Sequence, residues 1–271
     1  MSDSESPRDR FVTVYGYRPV LAALADPALQ VDKVLIAKGS RGPSVREIVS
    51  AAETRRVPLQ RVPPARIALL SGNPRHDNGV VADVVAPRMR SLAGALDVKR
   101  HQRPQTIMLL DGITTPANVG MIVRSATAAG LDGIVVPHRG VCDIDPLVVK
   151  ASAGVAFRAP ILRCGTAAEA AERLVEAGYL LVGLAADAPT SLFDADLSPP
   201  VAFVLGSETT GVSTDVRPMV ASWVRIPMPG AVESLNVANA ATVVAFEVVR
   251  RRQAEGQPGH EQAREADHHA G

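Results

Sequence analysis

Short apolar runs alternating with helical stretches, parted by joints that carry glycine or proline, constrain this chain more than any other feature. Thr106–Leu110 (TIMLL) is apolar throughout and stops at Asp111-Gly112, as a strand buried on both faces does. Residues 119–129 then read as a helix ended by Gly130, 133–136 as a strand, 146–152 as a helix, and 167–177 as a helix ended by Gly178. Strands at 179–184 and Val201–Leu205, a short helix at 216–220, a strand-like end at 223–226 and a last helix at 237–252 complete the series. Strands joined through helices predict a parallel α/β sheet with right-handed crossovers over residues 105–252.

The first third has its own alternation. A helix begins near Pro19, with a strand at Val31–Ala37 and a helix at 45–55, for which Ser44 and Glu47 offer a capping box. A strand at 57–62, a helix at 64–70 and a strand at 79–85 follow, predicting a small α/β sandwich over residues 11–87. Residues 88–104 hold Arg88, Arg90, Lys99, Arg100 and Arg103 around a weak apolar run, the pattern of a basic linker that is helical in part. Residues 1–10 and 253–271 are polar and are expected to be disordered.

Charge is unevenly spread. Residues 10–103 carry a net +9, whereas residues 104–252 carry −3. A basic first unit beside a mildly acidic second one suggests that the first meets a polyanion, although a solvated basic surface gives the same tally. Cys142 and Cys164 have no CxxC spacing, which excludes a disulfide framework, argues against a zinc site and suits a reducing cytoplasm. The N-terminus has no signal-peptide core, and no apolar run approaches the ~18 residues of a membrane span. Aromatics are only 3% of the chain, so its core must be aliphatic.

No GxGxxG follows a strand, and neither a P-loop nor a GxSxG elbow is present. His76, His101 and His138 stand alone, without metal-ligand spacing, so no metal is expected. Three loops remain, each at the C-terminal end of an expected strand, where open α/β sheets hold ligands. The first runs from Asp111 through Asn118 to Gly120, with Arg124 six residues beyond Asn118 on the following helix. The second is Leu205-Gly206-Ser207-Glu208-Thr209-Thr210-Gly211. The third is IPMPGAVESLN, in which Pro227, Pro229 and Gly230 impose an irregular backbone before Glu233, Ser234 and Asn236. Such a loop at a helix start holds something polar, or is a plain strand–turn–helix with a Ser or Asn cap.

NVGMIVRSATAAG, VLGSETTGVS and IPMPGAVESLNVANAA, in that order and spacing, resemble the three motifs of the SpoU/TrmH-type RNA ribose methyltransferases of the SPOUT superfamily. The first third, from YGYRPVLAAL to HDNGVVADV, is more weakly similar to that family's RNA-binding domain, a small α/β unit of the ribosomal-protein L30e/L7Ae type. The resemblance implies a C-terminal α/β parallel-sheet domain with a deep trefoil knot, holding S-adenosylmethionine. Carried over by position, Leu205, Gly206 and Glu208 of the second motif and Ile226, Met228, Ser234, Leu235 and Asn236 of the third would contact the cofactor. Its adenine would be read by main chain, which gives the Pro/Gly backbone a purpose.

The resemblance also implies transfer of a methyl group to a ribose 2′-hydroxyl, with the catalytic set Arg124, Asn118, Glu208, Ser234 and Asn236. A guanidinium with a pKa above about 12 is a poor base, so Arg124 is better suited to hold a phosphate and stabilise the developing alkoxide. Asn118 would orient Arg124 or the ribose. Ribosomal RNA, 23S in particular, is favoured over transfer RNA by the basic N-terminal unit, and a homodimer through the knotted domain in the cytoplasm is expected. Thr115-Pro116 stands where the family often has Asp-Pro, Thr209 where glycine is common, His76-Asp77 for His-Gln, and Asn239 for a small residue. The competing reading is a non-catalytic RNA-binding or ribosome-assembly factor that kept the fold.

Overall fold

The computed structural model describes residues 9–230, 232, 234–254 and 256; Glu233 and most of the two segments expected to be disordered lie outside these. The described ends correct that expectation where they overlap it. Asp9 is buried, and the last helix runs to Ala254.

The first unit is built from β1 (Phe11–Tyr15), α1 (Tyr17–Ala25), β2 (Val31–Ala37), α2 (Pro43–Thr54), β3 (Leu59–Val62), α3 (Pro64–Ser71) and β4 (Val80–Val85). Its sheet runs β1-β4-β2-β3, with β2 and β3 parallel and the other pairs antiparallel. Alternation along β2 sends Val34 and Ile36 to the α1/α2 face, where they meet Val20, Leu24 and Ile48. Leu35 and Ala37 go to the other face, against Ile67 of α3. The capping box at Ser44 and Glu47 does not form. Gly42 caps α2 and Pro43 takes its first position with φ already suited to a helix, which places Ser44 inside the helix.

The second unit is an eight-stranded sheet, parallel at every recorded pairing. In chain order it adds β5 (Arg90–Ser91), α4 (Leu92–Leu96), β6 (Thr106–Leu110), α5 (Pro116–Ala128), β7 (Gly133–Pro137), α6 (Pro146–Ala151), β8 (Ile161–Cys164), α7 (Ala167–Glu176), β9 (Leu180–Leu184), β10 (Thr190–Ser191), β11 (Val201–Leu205), β12 (Ser222–Arg225) and α8 (Val237–Ala254). The strand order is β10-β12-β9-β11-β6-β7-β8-β5. Residues 88–104 are therefore no free linker. β5 pairs with β8 as the sheet's edge, and Ser91 caps α4 by accepting from the Gly94 amide. The expected helix at 216–220 is a single 3-10 turn, Arg217–Met219.

Side chains of β6 divide between the faces: Met108 and Leu110 pack towards α5, α6 and α8, and Ile107 and Leu109 towards α4 and α7. Residue 120 must be glycine for α5 and α6 to approach, since a Cβ there would lie 2.5 Å from that of Ala151. The end of α8 is pinned by arginines. Arg251 donates to the carbonyls of Leu192, Phe193 and Ala195, and Arg252 donates to Gly130 O, Thr106 Oγ1 and Asp132.

Candidate active site

Sequential strands run outward from β6 through β7 to β8; the chain then crosses back to β9, and β11 fills the gap beside β6. That reversal makes the C-terminal ends of β6 and β11 a topological switch point, where such sheets leave a crevice. The two loops there are tied together. Asp111, buried after β6, donates its amide to the Leu205 carbonyl at 2.9 Å, and its carboxylate accepts from the Ser213 amide at 2.7 Å. Asp111 and Ser213 are long-range partners that no local pattern identifies.

The second loop is held in one shape by its own hydrogen bonds. Ser207 and Gly211 exchange backbone bonds at 3.0 and 2.9 Å, and Ser207 Oγ accepts from the Thr210 amide at 3.0 Å. A Cβ on Gly206 would lie 2.2 Å from the carbonyl carbon of Gly211, so only glycine fits. Thr209 is not among the described non-glycine residues with positive φ, so its substitution for glycine carries no strain of that kind. Glu208 projects from this loop, exposed.

All three motifs meet at Asn236. Its Nδ2 donates to Glu208 Oε1 at 2.6 Å and to Asn118 Oδ1 at 3.1 Å, while its Oδ1 accepts from the Ala238 amide at 2.9 Å. Asn236 is thus the cap of α8, as the plain reading of this stretch has it, and the junction of the three motifs at once. Asn118 lies within α5, whose first residue is Pro116, and is 6% exposed. Thr115, the residue before α5, makes no side-chain cap, in line with the absence of the usual Asp there.

Arg124 is exposed on α5 and has no hydrogen-bond or ion-pair partner among the described residues. Asn118 does not contact it; its oxygen is taken by Asn236. Beside Arg124, Ser125 Oγ accepts from Thr242 Oγ1 at 2.8 Å, locking α5 against α8. Ser234 and Leu235 are exposed and make no hydrogen bond to a described residue.

Leu205 is buried at the end of β11, and Ile226 and Met228 line a cleft of about 520 Å3 with Pro229 and Val232. Ala186, in the loop after β9, completes that wall; its place after a parallel strand was the only signal for it. From Pro227 to Gly230 no backbone amide or carbonyl is bonded to another described backbone group. Free main-chain donors and acceptors beside a partly apolar cleft are what recognition of an adenine ring by backbone requires, so the chain fits the cofactor.

This fold and site are those of a methyltransferase family. Residues 105–246 match the SpoU rRNA Methylase family, and residues 13–90 match the family of RNA 2'-O ribose methyltransferase substrate binding domains. The chain belongs to the SpoU rRNA methylase family. It is 36% identical over 242 residues to the 23S rRNA (guanosine-2'-O-)-methyltransferase RlmB of Xanthomonas campestris, covering 88% of this chain and 96% of that protein. The enzyme of the same name from Xylella fastidiosa is 34% identical, over 88% and 96%. Among solved structures, the SpoU methyltransferase AviRb from Streptomyces viridochromogenes in complex with AdoMet aligns with a TM-score of 0.59 at 29% identity, covering 91% of this chain and 92% of that one.

Proposed function

We propose that this chain methylates a ribose 2′-hydroxyl of 23S ribosomal RNA with S-adenosylmethionine as donor. The observation that carries the reading is the junction at Asn236, which draws the loops after β6, β11 and β12 into one crevice. Two relatives of matching length are named for this reaction on 23S rRNA. The net +9 of residues 10–103 supports a folded ribosomal RNA gripped by phosphate and shape in preference to transfer RNA. In this reading residues 11–87 are an RNA-holding unit of the L30e/L7Ae type and residues 105–252 the methyltransferase unit, with residues 88–104 serving as its edge. Such a substrate puts the enzyme in the cytoplasm.

The sulfonium of S-adenosylmethionine supplies an already activated methyl group. The protein's own task is then to align the hydroxyl in line with that methyl and to ease loss of its proton. Arg124, charged and without a partner among the described residues, would bind the phosphate beside the target ribose and stabilise the alkoxide. Glu208 and Asn118 would hold Asn236 so that Leu205, Gly206, Ile226, Met228, Ser234 and Leu235 border the cofactor. The chain leaves β12 beside β9 and returns past the β11 loop to lay α8 on α5, a path that supports a trefoil knot. Met121 on α5 and Phe246 on α8 are 40% and 49% exposed, and we assign these apolar side chains to a homodimer through the same unit.

Mapping of 2′-O-methyl groups in 23S rRNA from a deletion strain against its parent tests the reading. One site should disappear and should return when purified enzyme and S-adenosylmethionine are added to the deletion-strain RNA. Loss of no site, together with no cofactor binding in calorimetry, would instead identify a ribosome-assembly factor.

A further inference from the structure

β9 and β10 flank β12 in the sheet, and they come level on it, since Leu184 and Thr190 both pair with Val224. Residues 185–189, which join them, therefore arch across the C-terminal end of β12, over two strand spacings or about 10 Å. Parallel strands are ordinarily joined by a dozen residues or more, with a helix of their own to pack. This arch has no such element. Among the described residues, its internal backbone bonding is a single 3.3 Å contact from the Ala188 amide to the Ala185 carbonyl.

What braces the arch is the strand it crosses. The Ala185 amide donates to the Val224 carbonyl at 3.0 Å and the Leu192 amide to the Arg225 carbonyl at 2.8 Å, which ties down the two feet. Arg225, the last residue of β12, holds the part between. Its Nη1 donates to the carbonyl of Ala188 at 2.6 Å and to that of Pro189. One nitrogen with two hydrogens thus meets two successive carbonyls, and the charge on the guanidinium strengthens both bonds.

The braced segment is a wall of the cofactor cleft. Ala186 of the arch and Arg225 itself line that cleft together with Ile226 and Met228. Arg225 stands where β12 ends and the third-motif loop begins, so its side chain fixes the spacing between that loop and the arch. A slot that reads a flat ring through main-chain groups depends on that spacing, because hydrogen bonds weaken steeply once their groups tilt or move apart.

We propose that Arg225 is a positioning residue for S-adenosylmethionine: it braces the 185–189 arch against the third-motif loop and so sets the width of the slot for the adenosine half. This rests on the methylation reading above. The test uses the full chain. Arg225→Met keeps an apolar stem and removes the donors. In titration calorimetry it should raise the Kd of S-adenosylmethionine at least about tenfold, and that of S-adenosylhomocysteine, which lacks the sulfonium charge, by the same factor. On deletion-strain 23S rRNA at saturating cofactor, kcat should stay within about threefold. In the cofactor-free protein, the amides of Ala185 and Ala188 should exchange with deuterium at least about tenfold faster.

Arg225→Lys, whose ammonium can also donate twice but stands one bond nearer its backbone, should lose about threefold in affinity. It decides the matter if Arg225→Met does not fold. Arg251→Ala, which frees the neighbouring 192–195 segment, should lower the melting temperature and change none of these readouts. Unchanged affinity, affinity lost without faster exchange at the arch, or an equal loss in Arg251→Ala overturns the proposal. So does a loss confined to S-adenosylmethionine, which would trace to charge and not to the slot. An unaltered protein that binds neither compound overturns the parent reading, and this inference with it.

Discussion

Asn118 and Asn236 stand 118 positions apart in the chain, yet their side chains meet at 3.1 Å, and the same Asn236 amide nitrogen reaches Glu208 at 2.6 Å. One short polar side chain thereby closes α5, the β11 loop and the start of α8 onto each other. Because Asn236 also caps α8, its structural contribution and the role proposed for it in the site overlap and must be separated by choice of substitution.

Asn236→Ala should remove both contributions, lowering stability by about 1 kcal/mol and weakening S-adenosylmethionine binding at least about tenfold. Asn236→Ser keeps a capping oxygen but is too short to hold Asn118 and Glu208 together. It should regain the lost stability without regaining the affinity, as read by denaturant midpoints and titration calorimetry on the same samples.

Arg124 is exposed and unpartnered among the described residues, so its removal should cost little stability, within about 0.5 kcal/mol. Arg124→Ala should lower single-turnover methyl transfer at least about 100-fold while cofactor affinity stays within about twofold. An Ala variant that retained substantial turnover on the mapped RNA would remove Arg124 from the catalytic set.

Gly206→Ala tests whether the second loop must keep its shape. The added Cβ would press on the backbone of Gly211 and Val212, and backbone cannot swing aside as a flexible side chain does. A loss of about 1–3 kcal/mol and a clear weakening of cofactor binding are expected. An unchanged melting temperature with normal binding would show that the loop has room to move.

The strands that were legible in the sequence are those carrying an apolar run of at least four residues. Val31–Ala37, Thr106–Leu110 and Val201–Leu205 have the bounds expected of them. β8 was missed because Arg163 interrupts its apolar run, and burial of an arginine is decided by partners 20 and 25 residues upstream, Asp143 and His138. β1 was missed because FVTVY follows a charged start and gains its pairing only from β4, about 70 residues later. The two-residue strands β5 and β10 are too short for any periodicity to mark them. The motifs marked in advance the three loops that meet at Asn236. What they could not show is that Asn118 turns to Asn236 and not to Arg124. Six residues on a helix place those two side chains about 120° apart, with one buried and the other in solvent.

Arg251 joins the end of α8 to the 192–195 segment, with bonds of 2.7–3.1 Å to three carbonyls and one of 2.7 Å to buried Glu247. Arg251→Ala should destabilise the protein by about 2 kcal/mol, since several charge-assisted bonds are lost from a mostly buried place. Arg250 still pairs with Glu247 and limits the damage on that side. A melting temperature lowered by about 4–8 °C, with cofactor binding at 20 °C unchanged, is the expected result.

Burial pushes the thiols of Cys142 and Cys164 from 9.0 up to about 12, and burial likewise raises the Tyr179 hydroxyl from 10.0 to about 12. The neutral form is the one the fold prefers, so between pH 9 and 12 the native state holds protons that the unfolded chain has released. Stability from these groups is complete below pH 9 and is lost as pH rises towards 12. Denaturant midpoints should therefore fall steadily from pH 9 to pH 11, and less steeply in Cys142→Ser/Cys164→Ser. At pH 8 neither thiol has appreciable thiolate, so iodoacetamide should alkylate the native protein at least about tenfold more slowly than the urea-unfolded chain. Rapid labelling of the native protein at that pH would show that the thiols are not held in their protonated form.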